Sequence, residues 1–433
     1  MNIFQELSGL SKFNFLRRSL EFDIENLEPE PLFVKCCIFR VPEKIRCTNE
    51  NAHTPQLVSI GPLHRADKHL VHMTETKKRY MKSFLGRISL EKRDKILAFI
   101  VINEQEIRNC YAETSIETSE DFVITIMYDA VFIIELFLRS ESDRDKASEP
   151  LLAISAVRRT LSMDLELLEN QLPFFVLEEI YKLANLGDQI SISFMELSCS
   201  FFGYFSDLSL AKLPTEVAVK HFCNWRRITL LESYSCSERE PMGWIIDLPS
   251  AVKLQESGVS FKCVKGEGSL NIEFKPVKRR IPFFNRYELQ MPHLDISDST
   301  ERHIRNMMAL EQCSYPLDTP FCNYIIIMDC LIDTEKDVDL LVWEGVITNH
   351  LGDNASVAKL FNKLGENIIA SSSSYFQCCE ELKVHYNNRR NKWKAILRSV
   401  YFSNPWRAAG TLAAIALLLL TVIQTICSIM QVV

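Results

Sequence analysis

Residues 404–433 read NPWRAAGTLAAIALLLLTVIQTICSIMQVV. No Lys, Arg, Asp or Glu follows Arg407, so Ala408 to Val433 is an uncharged run of 26 residues with its apolar centre at Ile415 to Leu420. A bilayer core about 30 Å thick takes about 20 such residues in a helix, and only a helix satisfies its backbone groups in hydrocarbon without partners. Asn404 and Pro405 supply a cap residue and a first-turn proline, while Trp406 and Tyr401 suit the aromatic belt at a membrane face. The stretch predicts one spanning helix over 408–430, because a buried helix of a soluble core seldom runs so long without a charge.

The flank sets the expected orientation. Residues 382–407 carry Lys383, Arg389, Arg390, Lys392, Lys394, Arg398 and Arg407 and no acidic residue. By the positive-inside rule this +7 collar, and everything before it, lies on the cytoplasmic side. The whole chain has 49 Lys and Arg against 56 Asp and Glu, net −7; taking away the collar's seven leaves 42 basic against 56 acidic residues in 1–381, net −14. An acidic body on a basic stalk suits anionic lipid head groups, each basic side chain contributing about 1 kcal/mol near the surface. The collar reads equally well as a bare topology signal. A polyanionic partner is a poor match, so nucleic-acid binding is not expected.

The opening MNIFQELSGLSKFNFLRRSLEFD (1–23) has no uninterrupted apolar stretch and no small-residue cleavage pattern. Insertion is then expected to depend on the last segment, as in a single-pass, tail-anchored protein of the plasma membrane or an endomembrane. The fourteen cysteines are expected to stay reduced. Asn354-Ala355-Ser356 fits the glycosylation pattern, and a sugar there would reverse the orientation.

Apart from the tail, the patterning predicts a mainly helical α+β body. Leu70, Met73, Lys77, Tyr80, Met81 and Phe84 share one helical face, and Ser89 is placed to cap a second helix through Ile96 and Ile107. Phe122 to Leu138 is apolar almost throughout but holds Asp129 and Glu135, which marks a buried core helix. Residues 139–149 (RSESDRDKASE) read as a charged linker. Helical patterns follow over 151–161, over 164–183 with a break at Pro173, and over 215–231, with a loop-like stretch at 233–241. The period then changes to two: 259–264, 270–275 and 287–296 predict a small antiparallel sheet. Helices resume at Asp298, which with Glu301 resembles a capping box, and continue over 321–333, 337–350, 355–368 and 375–402. The chain divides into an N-terminal extension (1–34), a body (35–381), a basic stalk (382–407) and the spanning helix (408–430).

Sharp catalytic signals are lacking. Thirteen glycines leave little for phosphate loops, and no dinucleotide fingerprint or nucleophile elbow occurs. His64, His69 and His72 lie close in sequence, yet no Cys-x-x-Cys or His-Glu-x-x-His accompanies them, so no metal or cofactor is expected. Asp295, Asp298 and Glu301 resemble half a calcium loop with Thr300 where glycine is needed. Cys36-Cys37 and Cys378-Cys379 read as small buried residues, with acylation an alternative for the second pair. Lys275, Lys278, Arg279 and Arg280 read as an exposed basic loop. Asp129 and Glu135, with Asp164, Glu166 and Glu169, suit an acid–base pair of glycosidase type or buried ion pairs with Arg158 or Arg159.

Inside the apolar tail, Gly410, Ala414, Leu417, Thr421, Gln424 and Ser428 recur every three or four residues, with Thr425 beside them. Small and polar groups thus share one face, which suits pairing with another helix; an interhelical amide bond from Gln424 is worth about 0.6 to 2 kcal/mol.

Several phrases resemble a plant family, domain of unknown function 247, also called uncharacterised protein family 0481. They are IFRVPEKIR (38–46), VSIGPLH (58–64), LLENQLPFF (167–175), ESGVSFK (256–262), ALEQC (309–313), DVDLLVWEGVITNHLG (337–352), VAKLFNKL (357–364), YFSNPW (401–406) and LTVIQT (420–425). The resemblance implies a mostly helical body with a C-terminal membrane helix in a plant protein, and it implies no established enzyme activity. Some grass relatives are associated with pollen and stigma self-incompatibility, which implies recognition between proteins. Leu63 stands where the family's phrase has an aromatic, and KHFCNWRR (220–227) departs from its usual leucine-rich form, which makes that helix a candidate for an altered partner surface.

Together these readings predict a membrane-anchored recognition or signalling adaptor that is not an enzyme and that binds the bilayer, unidentified proteins and, through its tail helix, a second copy. The alternative is a hydrolase-like enzyme using acidic residues of 129–169.

Overall fold

A computed structural model describes residues 35–113, 117–185, 192–203, 218–231, 234, 242–245, 247–264, 270–277, 286–369, 372–388, 391, 393 and 405–432. The longer helices are α1 (Met73–Gly86), α2 (Leu90–Ile102), α3 (Ser119–Glu141), α4 (Ser155–Leu165), α5 (Phe174–Ala184), α6 (Phe194–Phe202) and α7 (Phe222–Leu231). Strands β1 (Val259–Val264), β2 (Glu273–Val277), β3 (Arg286–Pro292) and β4 (Leu294–Ile296) follow. Then come α8 (Thr300–Ser314), α9 (Pro320–Leu331), α10 (Glu335–Trp343), β5 (Ile347–Asn349), α11 (Asn354–Leu364), α12 (Phe376–Asn387) and α13 (Pro405–Val432). The protein is mainly helical, with two small sheets and one apolar helix near its C-terminal end.

Two hydrophobic cores organise the body. The N-terminal core surrounds α3, against which α1, α2, α5 and α6 pack. Because neighbours cover nearly its whole circumference, α3 needs apolar residues on every side. Phe122, Ile126, Ala130 to Ile134, Leu136 and Phe137 are all fully enclosed. The Phe137 ring lies 4.4 Å from Phe201 and 6.0 Å from Phe194, in an aromatic cluster that joins α3 to α6 and α7. Ser89 caps α2 as predicted, its hydroxyl accepting from Lys92 N–H. The C-terminal core gathers β1, β3 and α8–α12 around Leu289, Met308, Met328 and Phe361.

The cores share a seam. Cys36, Phe39 and Val41 enter the C-terminal core, while Cys37 and Ile38 enter the N-terminal one. Cys223 and Leu168 go to the former, and Phe222, Trp225, Leu165 and Leu172 to the latter. Segment KHFCNWRR is therefore no partner surface: His221, Phe222, Cys223, Asn224, Trp225 and Arg227 are buried.

Other expectations are corrected as well. The three-stranded sheet has the order β1-β3-β2, with β1 parallel and β2 antiparallel to β3, so it is mixed. Pro276 lacks an N–H and suits the edge, which leaves the centre to β3 and its buried Leu289 and Met291. The helix expected over 337–350 stops at Trp343; Gly345 adopts φ +73°, and Ile347–Asn349 becomes β5, parallel to β4. The charged linker is largely helical: α3 runs to Glu141, Asp143–Ser148 forms a further turn and a half, and Arg139 pairs with Glu135 at 2.9 Å and Glu149 at 2.6 Å. No capping box forms at Asp298 and Glu301. Ser299, with α-helical φ and ψ, holds the cap position; its hydroxyl accepts from Arg159 at 2.7 Å, and Glu301 pairs with Arg305. Residues 166–173 are not helical, which separates α4 from α5 by more than the predicted break at Pro173.

Candidate functional site

Three of the quoted phrases meet in one buried polar knot between the cores. Residues 56–64 belong to no helix or strand, so their backbone groups need other partners. Asp164, at the end of α4, supplies three: its carboxylate accepts from Gln56 N–H at 3.0 Å, Leu57 N–H at 2.6 Å and Val58 N–H at 2.9 Å. Asn170 accepts from Ile60 N–H at 2.6 Å and donates to Val58 C=O at 2.9 Å. Asp129 of α3 accepts from Gly61 N–H at 2.8 Å, and Lys77 of α1 donates both to Ser59 C=O and to Asp129.

Glu169 lies at the centre, its side chain wholly enclosed. One oxygen accepts from Val41 N–H at 2.7 Å and Arg46 at 2.6 Å; the other faces His64 Nε2 at 2.8 Å, with Arg40 3.7 Å away. His64 Nδ1 faces Asp67 at 2.8 Å. Burial pushes the Glu169 carboxyl up, but the His64 ring, the Val41 N–H and Arg46 outweigh it and hold the group below the usual carboxylate range. Gln171 donates to Leu165 C=O and Leu167 C=O and accepts from Phe222 N–H at 3.0 Å, which ties the knot to α7. Gly61, at φ +71°, has no room for a side chain: a Cβ would sit 2.7 Å from Gln171 C=O.

The remaining acids are also occupied. Glu135 pairs with Arg87 and Arg139, Glu166 with Arg226 at 3.0 Å, and Asp164 with Arg302 at 2.7 Å. Arg158 and Arg159, the partners expected from proximity in sequence, are not among these contacts. The arrangement therefore holds backbone and cations in place. Asp129, with Lys77, Arg65 and Tyr128, lines a cleft of about 180 Å³, and Glu166 borders a smaller one with Arg226 and His303. Burial raises the Asp129 carboxyl despite Lys77.

His69 Nε2 contacts Pro55 C=O and His72 Nδ1 contacts His69 C=O, so the three histidines turn to separate partners. Among the described residues no three His, Cys, Asp or Glu converge to hold a metal ion. Cys36, Cys37 and Cys379 are buried and Cys378 half-buried. Lys278, Arg279 and Arg280 lie outside the described residues. Asn170 and Gln171 escaped the sequence reading; three consecutive polar residues inside the apolar LLENQLPFF were the available signal.

At the other end, α13 contains a window, Ala409–Met430, of 22 residues with mean hydropathy 2.4 and none of it buried. It is the one described helix long and apolar enough to cross a membrane. Trp406 and Arg407 lie exposed in its first turn. Arg389, Arg390, Lys392, Lys394 and Arg398 lie outside the described residues. Gly410, Ala414, Thr421, Gln424, Thr425 and Ser428 are all exposed. The hydroxyls of Thr421 and Thr425 fold back onto Leu417 C=O and Thr421 C=O, each at 2.8 Å.

The described residues thus comprise a two-core helical body, a knot built from side chains that serve backbone, and one apolar helix left uncovered by that body. The chain belongs to the family described as plant protein of unknown function (DUF247), whose profile matches residues 38–420. It is 27% identical to a UPF0481 protein of Arabidopsis thaliana over 92% of this chain and 87% of the relative. A putative UPF0481 protein of the same plant is 22% identical, over 94% of this chain and 93% of the relative. No solved structure matches the chain.

Proposed function

We propose that the protein is a recognition or signalling adaptor held in the bilayer by α13, with its body on the cytoplasmic face and the basic stalk over 382–407 against the lipid head groups. The observation that carries this reading is the uncharged 22-residue window of α13, whose apolar side chains are all left uncovered by the body. Such a surface in water is unfavourable by about 25 cal/mol per Å², and a hydrocarbon core removes that cost. A protein-binding rather than catalytic role is supported by the knot, where the Asp164, Glu169 and Asn170 side chains are spent on backbone and cations. In this reading the body binds proteins and α13 pairs with a second copy through the face that carries Gly410, Ala414 and Gln424.

Washing membranes with alkaline carbonate tests the anchor. The intact chain is expected to stay with the lipid and a chain ending at Arg407 to be released; release of the intact chain overturns the proposal. Comparing the proteins that co-purify with the two chains tests the adaptor role, since partners lost with the anchor tie recognition to membrane placement.

One observation favours the hydrolase-like alternative: Asp129 opens onto the cleft. Substrate turnover by the intact chain that disappears in Asp129→Asn would establish it and displace the adaptor reading.

A further inference from the structure

Near the start of the body, the chain at Cys36 to Phe39 runs alongside the turn at Cys110 to Ala112. Ile38 and Tyr111 form a parallel bridge, Cys110 C=O accepts from Cys37 N–H at 2.9 Å and Ile38 N–H at 2.8 Å, and Ala112 N–H donates to Ile38 C=O at 2.9 Å. Cys37 and Cys110 lie one step back from this isolated bridge and are joined by the Cys37 N–H bond to Cys110 C=O at 2.9 Å, which brings their backbones within the range of about 4.4 to 6.8 Å between the Cα atoms of a disulfide. Both cysteines are free thiols in the N-terminal core, and the two side chains share a hydrogen bond.

We propose that Cys37 and Cys110 are a dithiol pair that peroxide oxidises to an intramolecular disulfide. Cys110 is the attacking thiol: the hydrogen bond from Cys37, with a smaller contribution from the Lys35 ammonium, outweighs burial and the Glu106 carboxylate and holds it below its ordinary value. Burial and the same hydrogen bond push the Cys37 thiol up, so it keeps its proton and resolves the intermediate. Cys36, the immediate neighbour, faces the other core, where burial pushes it up to about 11.

The chemistry balances. The Cys110 thiolate attacks hydrogen peroxide, the O–O bond breaks, and a sulfenic acid and hydroxide form. The Cys37 sulfur then attacks the sulfenic sulfur. The S–S bond forms, the S–O bond breaks, and the leaving hydroxide departs with the Cys37 proton as water. Two thiols lose two electrons and one peroxide becomes two waters. The product would staple the seam segment that serves both cores, closing a long loop whose tethering restricts the unfolded chain. Reversible bridges of this kind are how reducing compartments use disulfides.

The test exposes the full chain, solubilised in mild detergent, to hydrogen peroxide, blocks remaining thiols with iodoacetamide, and maps the unreduced digest by mass spectrometry. The expected product is a Cys37–Cys110 linked peptide, lighter than its two parts by two hydrogens and lost on reduction. In Cys37→Ser the Cys110 sulfenic acid should persist and react with dimedone; in Cys110→Ser neither bridge nor sulfenic acid should form. Alkylation of both cysteines after peroxide, a Cys36–Cys110 bridge, or direct passage of Cys110 to sulfinic acid overturns the proposal. The mapping of the unaltered chain decides the matter even where a variant folds poorly.

Discussion

Arg46 Nη1 lies 2.6 Å from Glu169 Oε1, which joins the IFRVPEKIR and LLENQLPFF phrases across 123 residues of chain, the glutamate wholly enclosed and the arginine largely so. Removing one member of a buried pair leaves the other charged and unpaired. Glu169→Ala also deprives Val41 N–H and His64 of their acceptor. The expected loss is about 3–5 kcal/mol in urea unfolding of the detergent-solubilised chain. A loss under about 1 kcal/mol, the size of an exposed pair, would contradict this account.

Gly61→Ala is expected to destabilise by about 1–3 kcal/mol, because the left-handed backbone is strained for alanine and the new Cβ meets Gln171 C=O at 2.7 Å. A lowered melting temperature checks this. Gly258→Ala, also at positive φ but in open space, should lose less.

Phe137→Ala empties the centre of the aromatic cluster between α3, α6 and α7 and is expected to cost about 3–5 kcal/mol. Phe137→Leu should recover most of it in the same unfolding assay.

His221 is buried and neutral, with Nε2 donating to Cys37 C=O at 2.9 Å and Nδ1 accepting from Asn224 N–H. Burial lowers it to about 3 and lowers His53 to about 4. A depressed histidine stabilises fully above its unfolded value of about 6.5 and loses that contribution as pH falls toward the folded value, at about 1.4 kcal/mol per pH unit. Between pH 6 and pH 5, where the unfolded histidines pass from about three-quarters to nearly fully protonated, the two give a slope of about 2.4 kcal/mol per unit, and His221→Gln should cut it to about half. An unchanged slope would show that His221 is not the group that resists protonation.

Gln424→Leu should weaken the proposed pairing of α13 by about 0.6–2 kcal/mol, seen as reduced crosslinking in membranes. Crosslinking that persists unchanged dismisses the pairing face.

Periodicity made α1 and α2 legible, because a helix packed against one core repeats its apolar residues every turn, and the near-continuous apolar run from Phe122 to Leu138 marked α3 as enclosed on all sides. The exposed tail helix was equally plain from the lack of charge after Arg407. The sheet order was not, since alternation marks a strand without naming its neighbour, and Pro276 spoke only once β3 was in place. Asp129, Glu135 and Glu169 were visible as acids in apolar surroundings. Their partners Lys77, Arg87 and Arg46 were not, because spacing along the chain says nothing about a cation dozens of residues away. Asp164 also looked like a catalytic candidate, and its service to three consecutive backbone N–H groups needed the fold.

The segment at 36–41 divides its side chains between the two cores, and α7 does likewise with Phe222 and Cys223. A protease nick or a gene split between residues 231 and 248 would therefore leave the C-terminal fragment with a hydrophobic socket whose plugs, Cys36, Phe39, Val41, Leu168 and Cys223, are all carried by the N-terminal fragment. The C-terminal half should not remain soluble by itself, and the two should reassemble when synthesised together.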